Sequence, residues 1–467
     1  MRPVCEHPQN EREECRLIVF QDSGSEILLS ADSGAAGLPV ISIPRYTRIA
    51  QSVSEAAQEQ WNIAIYSLFS LPPRECPGET SRYQLAVFRS TTSIPPNMAW
   101  VTPRSLKSDD FREPQDYAAI QRAVELVQNH SKNPINGFFA RPGWIDKVLG
   151  WTQAEARSLG LVPTGGFRQL NAGPTFSLIR MQTNDQALWL KAVGGSHIHE
   201  FRITMELSRL FPEFLPRILA KWDEQNAWLM IEAEGSHPDQ NSARSVWVRV
   251  ATALARLEIA SMGRGLHLID LGCRDVRVCT LRILLPPFVE AMSELMQQQT
   301  KKEPSPLSRN ELSALRAQLG KIFLKLEELA IPNILTHLDF NPGNILVSRS
   351  SSTFLDWAEA SVGPCFLTLQ LLLEHVQRLI PNNPLLASSI ISAYRQEWSN
   401  CESSEALDEM LSASPLVAVS AYALNLWSSH NEKREMDKRT AGYLRSLTRR
   451  IKREAEVFTT RRTLCAR

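Results

Sequence analysis

Three polar residues with oxygen ligand atoms lie at short spacing in the chain. Two are in the sequence HLDFNPGNILV, which begins at His337, and the third follows shortly after it. They are Asp339, Asn344 and Asp356. Transfer of a γ-phosphoryl group requires an oriented nucleophile and a divalent metal that holds the negative charge of the nucleotide. Mg²⁺ prefers oxygen ligands and keeps several waters, so one carboxylate and one amide oxygen, with the phosphates, complete its shell. Asp339 is a candidate for the first task, and Asn344 and Asp356 are candidates for the second.

A long helix is predicted immediately before this motif. Ser308 and Glu311 match the capping-box pattern, and Pro332 is expected to end the helix. The apolar residues between them recur at the spacing of one buried helical face: Leu312, Leu315, Leu319, Ile322, Leu326 and Leu329. This helix would deliver the chain to a loop that carries residues 337–343.

A short β-hairpin is predicted directly after the loop. The apolar stretches 345–347 and 353–355 read as its two strands, joined by a serine-rich turn. Asp339 would precede the first strand and Asp356 would follow the second, so both acids would face the same end of the hairpin. In the alternative interpretation, the Asp and Asn of the motif only cap turns.

The motif from His337 to Asn344, with the LDW triplet that ends at Trp357, resembles the catalytic and metal-binding loops of aminoglycoside phosphotransferases and their relatives. These proteins are similar in fold to protein kinases. The resemblance implies that Asp339 is the catalytic base and that His337 braces its loop. It also implies that Asn344 and Asp356 are magnesium ligands, and that the cofactors are ATP and Mg²⁺.

The function implied by the resemblance is transfer of the γ-phosphoryl group of ATP to a hydroxyl of a small molecule, either aminoglycoside-like or a metabolite. An alternative stays open, in which a kinase-like module binds nucleotide or ligand for regulation and transfers no phosphate. The identity of the acceptor does not follow from the sequence, because one fold serves many substrates.

A nucleotide-binding lobe of this kind needs a lysine on a strand and a glutamate on the following helix. Two apolar segments within residues 176–193 predict adjacent strands, and Lys191 lies in the second. Residues 199–211 predict a helix from which Glu200 or Glu206 could reach that lysine. We favour Glu200, because the resemblance places the glutamate shortly after the lysine strand.

The segment that would contact the nucleotide base has a weaker signal. Residues 228–232, which include Met230 and Glu232, predict an apolar strand. This strand leads into a possible hinge. We expect backbone groups there to bind the base. The loop that would cover the phosphates has one glycine, Gly173, where protein kinases have three.

Residues 1–110 do not fit the kinase pattern. Short strands, a helical stretch at residues 53–60 and further strands follow one another in an order that resembles a Nudix-type α/β sandwich. The helical stretch carries only Glu55 and Glu59, which are too few ligands for Mg²⁺-dependent pyrophosphate hydrolysis. We therefore expect a degenerate, non-catalytic Nudix-like module.

The predicted fold class is α+β, a bilobal protein-kinase-like fold with a small β-rich N-lobe and a helical C-lobe, preceded by the small α/β module. The predicted boundaries are 1–110 for the Nudix-like module, 111–164 for a helical linker, 165–235 for the N-lobe and 236–467 for the C-lobe. Helical patterns at residues 244–262, 367–379, 384–398 and 415–430 supply the C-lobe.

Composition limits the possible partners. A chain of 467 residues with 43% apolar content can bury more than one core. Its net charge of +1 argues against nucleic acid or an anionic membrane surface as a partner. The eight cysteines form no Cys-x-x-Cys pair and suit reduced thiols. Without an apolar run of membrane-spanning length or a signal-peptide core, the sequence predicts a soluble, cytoplasmic protein. It predicts no oligomeric state.

Overall fold

The computed structural model describes residues 11–21, 25–30, 36–45, 47–71, 82–89, 93–129, 137–173, 175–431 and 436–465. The chain forms two compact units. The first consists of Met1–Phe201 and Arg217–Glu232, and the second of Arg202–Pro216 and Ala233–Arg467. The first unit thus combines the region before the N-lobe with the strands of the N-lobe. The bounds of the four predicted domains remain predictions.

The first unit begins with a six-stranded sheet and one helix. These elements are β1 (Arg12–Phe20), β2 (Ile27–Ser30), β3 (Val40–Pro44), α1 (Ile49–Trp61), β4 (Ile65–Ser70), β5 (Arg82–Phe88) and β6 (Met98–Val101). The strand order is β4-β5-β1-β2-β6, and β3 also pairs with β1. The pair β1 and β5 is parallel, and the remaining pairs are antiparallel.

The order of strands and helix in this region matches the predicted pattern, whereas its likeness to a Nudix domain remains a prediction. Glu55 and Glu59 lie on α1 and are exposed. Across the described ranges, no three or more His, Cys, Asp or Glu side chains cluster in a way that could hold a metal ion. The expectation of a non-catalytic module remains a prediction.

A second sheet completes the first unit. It follows two helices, and its elements are α2 (Pro114–Asn129), α3 (Trp144–Ser158), β7 (Pro163–Ala172), β8 (Phe176–Thr183), β9 (Ala187–Val193), α4 (His199–Leu210), β10 (Ile218–Trp222) and β11 (Ala227–Ile231). The antiparallel strand order is β10-β11-β9-β8-β7. Helix α4 begins in the first unit and ends in the second. The strand that carries Lys191 is thus the central strand of its sheet.

The second unit is mainly helical. Its elements after α4 are α5 (Arg244–Ala260), α6 (Gly265–Asp270), β12 (Arg274–Asp275), α7 (Val278–Gln297), α8 (Arg309–Glu328), β13 (Asn333–His337), β14 (Ile345–Val347), β15 (Ser352–Phe354), β16 (Ala360–Pro364), α9 (Leu367–Leu379), α10 (Pro384–Trp398), α11 (Ser404–Asn431) and α12 (Lys438–Cys465). One apolar core includes residues from each of these helices and from the hairpin β14–β15. The predicted fold class, with a β-rich N-lobe and a helical C-lobe, is confirmed.

Helix α8 forms where the sequence predicts it. Its capping box is complete, because the Ser308 hydroxyl accepts from the Glu311 amide at 3.2 Å and the Glu311 carboxylate accepts from the Ser308 amide at 2.9 Å. Each bond satisfies a backbone N–H that the first helical turn leaves without a partner. The predicted apolar face is buried: Leu312, Leu315, Leu319, Ile322 and Leu326.

The structure differs from the sequence prediction at two places in the second unit. The residues leading to His337 form strand β13, which was not predicted, because β16 supplies an antiparallel partner along its whole length. Helix α11 starts at Ser404 rather than at Pro415. A proline cannot donate to the carbonyl four residues earlier, and here the Ser414 hydroxyl donates to that Leu411 carbonyl at 2.9 Å.

The sequence prediction of no apolar run long enough to span a membrane was wrong for one of the described helices, because the length and hydropathy of α11 are sufficient. Its apolar stretch is 67% buried. Residues Leu416, Ala421 and Leu424 of this helix lie in the core of the second unit, as expected for a central core helix.

Candidate active site

His337 connects the two acid-bearing loops of the second unit. It ends β13, its side chain is buried, and its Nε2 lies 3.0 Å from the Leu355 carbonyl. Its Nδ1 accepts a hydrogen bond from the Asp339 amide at 3.2 Å. Both contacts are satisfied by a neutral imidazole with its proton on Nε2. Burial lowers the pKa of His337, which favours this neutral form.

Strand β13 is fixed by buried hydroxyl groups from three other elements. The amide of His337 donates to the Thr368 hydroxyl at the start of α9, at 3.1 Å. The Leu335 amide donates to the Ser261 hydroxyl at 2.9 Å, and the hydroxyls of Thr336 and Ser361 are 2.7 Å apart. The position of His337 is therefore set by the packed interior of the unit.

Asp339 is held by two asparagines of its own loop. The Asn341 side-chain amide donates to one carboxylate oxygen at 3.1 Å, and the Asn344 amide donates to the other at 3.2 Å. Both asparagines also donate to the Asp339 carbonyl. Because the nitrogen of the Asn344 carboxamide faces Asp339, its oxygen points away from Asp339 and can serve as a metal ligand.

Asp356 follows the hairpin in a left-handed backbone conformation, with φ 61° and ψ 70°. For a residue other than glycine this conformation costs of the order of 1–3 kcal/mol and persists only where the surroundings impose it. The Leu355 amide donates to the Asn344 carbonyl at 2.8 Å. The buried Trp357 ring lies 4.9 Å from the His337 ring. The chain on both sides of Asp356 is thus tied to the loop that carries Asp339.

Glu359 is a third carboxylate in this region, and sequence reasoning missed it. Burial raises its pKa, the neighbouring Arg274 lowers it, and the charges of Asp339 and Asp356 raise it further. Arg274 forms a bidentate ion pair with Glu359. The closeness of Glu359 to Trp357 in sequence was an available signal, but the pairing with Arg274 depends on the parallel pairing of β12 with β16.

Tyr422 of α11 also lies near these acids and was not predicted. Burial raises its pKa, as do Tyr443, Glu359 and Asp339. The Tyr422 and Tyr443 rings meet edge to face at 6.1 Å. The charges of Glu359 and Asp339 thus act on Tyr422, and no local motif around this tyrosine indicates it.

The lysine of the first unit pairs with Glu200. Lys191 Nζ lies 2.5 Å from the Glu200 carboxylate, and both side chains are buried. The Lys191 ammonium also lies 5.2 Å from the centre of the Phe176 ring. Glu206, the alternative partner, instead binds Arg209 and His267.

The two predicted base-binding residues, Met230 and Glu232, differ in their contacts. Met230 lies in β11, opposite Trp189 of β9. The Glu232 carboxylate accepts from Arg180 at 2.7 and 2.9 Å and from the Trp189 indole at 2.9 Å. The side chain of Glu232 is therefore engaged in the sheet, and its backbone amide donates to the Ala187 carbonyl at 3.0 Å.

The segment that follows is anchored within the second unit. Ser236 and Val347 exchange backbone hydrogen bonds at 3.2 and 3.0 Å. Gly235 has a φ of 120°, and a Cβ there would lie 2.6 Å from the Val347 carbonyl carbon. Only glycine fits this close approach, which ties the predicted hinge to the hairpin strand β14.

Residues 200–388 match the family model described as the phosphotransferase enzyme family, APH. A search of curated proteins found no match. Similar solved structures include a macrolide 2′-phosphotransferase from Brachybacterium faecium, with 18% identity and a TM-score of 0.40 over 64% of this chain and 97% of that chain. A choline kinase from Cryptosporidium parvum has 12% identity and a TM-score of 0.46 over 68% and 97%.

A third similar structure is that of an aminoglycoside 2′-phosphotransferase in a GDP complex. It has 13% identity and a TM-score of 0.43, and the alignment covers 65% of this chain and 98% of that chain. The family match covers the Lys191 partner Glu200 and all residues of the two acidic loops. The part of the chain that matches the family model is therefore the part that carries the HLDFNPGN motif and the LDW triplet.

Proposed function

We propose that this protein transfers the γ-phosphoryl group of ATP to a hydroxyl group of a small molecule. The observation that carries the proposal is the joint fixation of both acidic loops by His337, whose imidazole bonds to the Leu355 carbonyl and to the Asp339 amide. Two turns with only a structural role would not need a buried side chain that fixes the positions of both acid-bearing loops.

Asp339 would orient the acceptor hydroxyl and take up its proton. The amides of Asn341 and Asn344 fix both oxygens of this carboxylate, so its orientation is set before the acceptor binds. Proton acceptance by a positioned carboxylate contributes roughly 10²- to 10⁴-fold to a rate. Most of the acceleration would come from positioning and from stabilisation of charge.

The donor set beside Asp339 suits Mg²⁺, because it offers one amide oxygen from Asn344 and the carboxylate of Asp356. These two residues would hold the ion. An ion held there would supply positive charge against the negative charge of the phosphates. The Lys191 ammonium, oriented by Glu200, would neutralise charge on the nucleotide.

Direct detection of phosphoryl transfer tests the proposal. The full-length protein is incubated with Mg·ATP and a panel of sugars, amino alcohols and aminoglycosides, and ³¹P NMR follows new phosphate esters. We expect an ester with at least one acceptor class, lost in Asp339→Asn and kept in Asp270→Asn, which removes an exposed carboxylate of α6. Nucleotide binding without transfer to any acceptor would favour the alternative, a regulatory kinase-like module.

A further inference from the structure

The side chain of Gln169 joins the two sheets of the first unit. Gln169 lies on β7 and is 7% exposed. Its Oε1 accepts from the Ser67 amide at 2.9 Å, and its Nε2 donates to the Ser67 carbonyl at 2.8 Å. The side-chain amide therefore pairs with the backbone of β4 as a neighbouring strand would, and it satisfies two buried groups.

The joint connects two edge strands at irregular points. Strand β4 is at one edge of the first sheet and β7 at one edge of the second. The pairing of β4 with β5 shifts register after Ser67, and the pairing of β7 with β8 shifts register after Gln169. Such bulges re-aim side chains and leave backbone groups without their ladder partners. Gln169 bonds to backbone groups of Ser67 on this edge strand.

Apolar contacts surround this hydrogen-bonded joint. The rings of Tyr66 and Phe167 are 5.5 Å apart, and the Arg89 guanidinium lies over both. Tyr66 belongs to the same buried core as Ile179 of β8 and Leu190 of β9. Helix α1 also packs against β7. The region before the N-lobe thus shares a core with the strands on which Lys191 is carried.

A second contact lies at the turn between the lysine strand and the glutamate helix. Gly194 follows β9, and a Cβ at this position would lie 2.3 Å from the Cα of Gly137. The Gly194 amide donates to the Thr175 carbonyl at 2.8 Å, beside the start of β8. The chain that precedes the N-lobe therefore touches the turn that sets the distance between Lys191 and Glu200.

We propose that the described residues within 11–140 form a brace that positions the nucleotide-binding elements of the N-lobe through contacts with Gln169 and Gly194, which are the positioning residues of the N-lobe. The inference rests on the proposed function. Both contacts of the brace fall on elements with a predicted nucleotide role, the strand β7 before the phosphate-covering loop and the turn that separates Lys191 from Glu200. Neither residue needs to touch the nucleotide.

The test separates nucleotide affinity from turnover in the full-length protein. Gln169→Met has similar length but leaves the Ser67 amide and carbonyl without their partner. Calorimetry with Mg·ATP gives the dissociation constant, and steady-state kinetics give KM and kcat. We expect the dissociation constant and the nucleotide KM to rise at least about fivefold, with kcat at saturating nucleotide and the acceptor KM unchanged.

The matched control is Gln182→Met, the same change at an exposed position of β8, for which we expect wild-type affinity. Gly194→Ala is a second, independent variant, because its methyl group must displace the Gly137 backbone. If Gln169→Met does not fold, Gln169→Glu keeps an acceptor for the Ser67 amide and gives a smaller rise in the dissociation constant.

The outcomes distinguish the two proposals. Native nucleotide affinity in the Gln169 and Gly194 variants, even with a lowered Tm, would show a purely structural joint and overturn this inference alone. If the unsubstituted protein bound no Mg·ATP, the proposed function would be overturned, and the brace inference with it. A rise in the acceptor KM equal to that in the nucleotide KM would also contradict the brace, because it would indicate general loosening.

Discussion

The Tyr394 hydroxyl of α10 donates a hydrogen bond to the carboxylate of Glu258 in α5, and both side chains are buried. The same hydroxyl accepts from the Phe366 amide at 3.1 Å, at the start of α9. Burial raises the pKa of Glu258 to about 8, although the Tyr394 and Thr368 hydroxyls lower it. Thr368 also accepts a hydrogen bond from the amide of His337. Thr368 therefore links the titratable carboxyl group of Glu258 to the residue that precedes the Asp339 loop.

The protonation of Glu258 should make the stability of the protein depend on pH. Its pKa in the folded state is about 8 and its ordinary value is 4.5, so between these values the folded state keeps a proton that the unfolded state has lost. The free energy of unfolding should therefore fall as pH rises through this window. Denaturant unfolding at pH 6 and pH 8.5 measures it. Glu258→Gln should remove this fall, and equal slopes in both proteins would contradict the assignment.

Replacement of Asp339 should strongly lower turnover without weakening nucleotide binding. Asp339→Asn keeps the shape of the side chain but removes the group that accepts the proton, so kcat should fall by roughly 10²- to 10⁴-fold. The dissociation constant for Mg·ATP, measured by calorimetry, should stay within about twofold of the wild-type value. This limit corresponds to a change of less than about 0.5 kcal/mol in binding free energy. Retained turnover would remove Asp339 from the role of base.

Replacement of Asp356 should act on the metal. Asp356→Asn removes the carboxylate proposed to hold Mg²⁺, so the Mg²⁺ concentration that gives half-maximal activity should rise at least about tenfold. Activity measured across Mg²⁺ concentrations at fixed ATP tests this. The exposed Asp270→Asn variant is the control. An unchanged Mg²⁺ dependence would assign the ion to other ligands.

Loss of Glu200 should destabilise the first unit because it removes the partner of a buried ammonium. Breaking a buried ion pair from one side costs roughly 3–5 kcal/mol, and Glu200→Ala should lower the free energy of unfolding by about this amount. The double variant with Lys191→Met should lose less than the sum of the single changes, because each change removes the same contact. Additive losses in denaturant unfolding would mean that the pair contributes no coupling.

Local patterns predicted the elements that depend on neighbours in sequence. The capping box of α8 and the hairpin β14–β15 form from nearby residues, and so does the pairing of Lys191 with Glu200 across one turn. In each case the interaction that fixes the geometry lies within a short stretch of chain. That is the range over which spacing and turn chemistry are informative.

The parts that were missed depend on partners far away in sequence. Strand β13 has no partner beside it in the sequence, and it forms a strand because β16, which lies beyond the hairpin, pairs with it. The closeness of Tyr422 to Asp339 and the ion pair of Glu359 with Arg274 arise only when separate elements pack together. The bonds of Gln169 to Ser67 belong to the same class.

A single imidazole that serves two loops also limits how this site can change. A shift of the Leu355 carbonyl would pull on the His337 ring and, through its other nitrogen, on the Asp339 amide. In the proposed mechanism, a substitution that moves the Leu355 carbonyl should therefore disturb both the Asp339 loop and the Asp356 loop, unlike replacement of either acidic side chain alone. If the protein has the proposed function, variation in the acceptor is then easier to achieve from other elements, such as helices α11 and α12, than from the loops themselves.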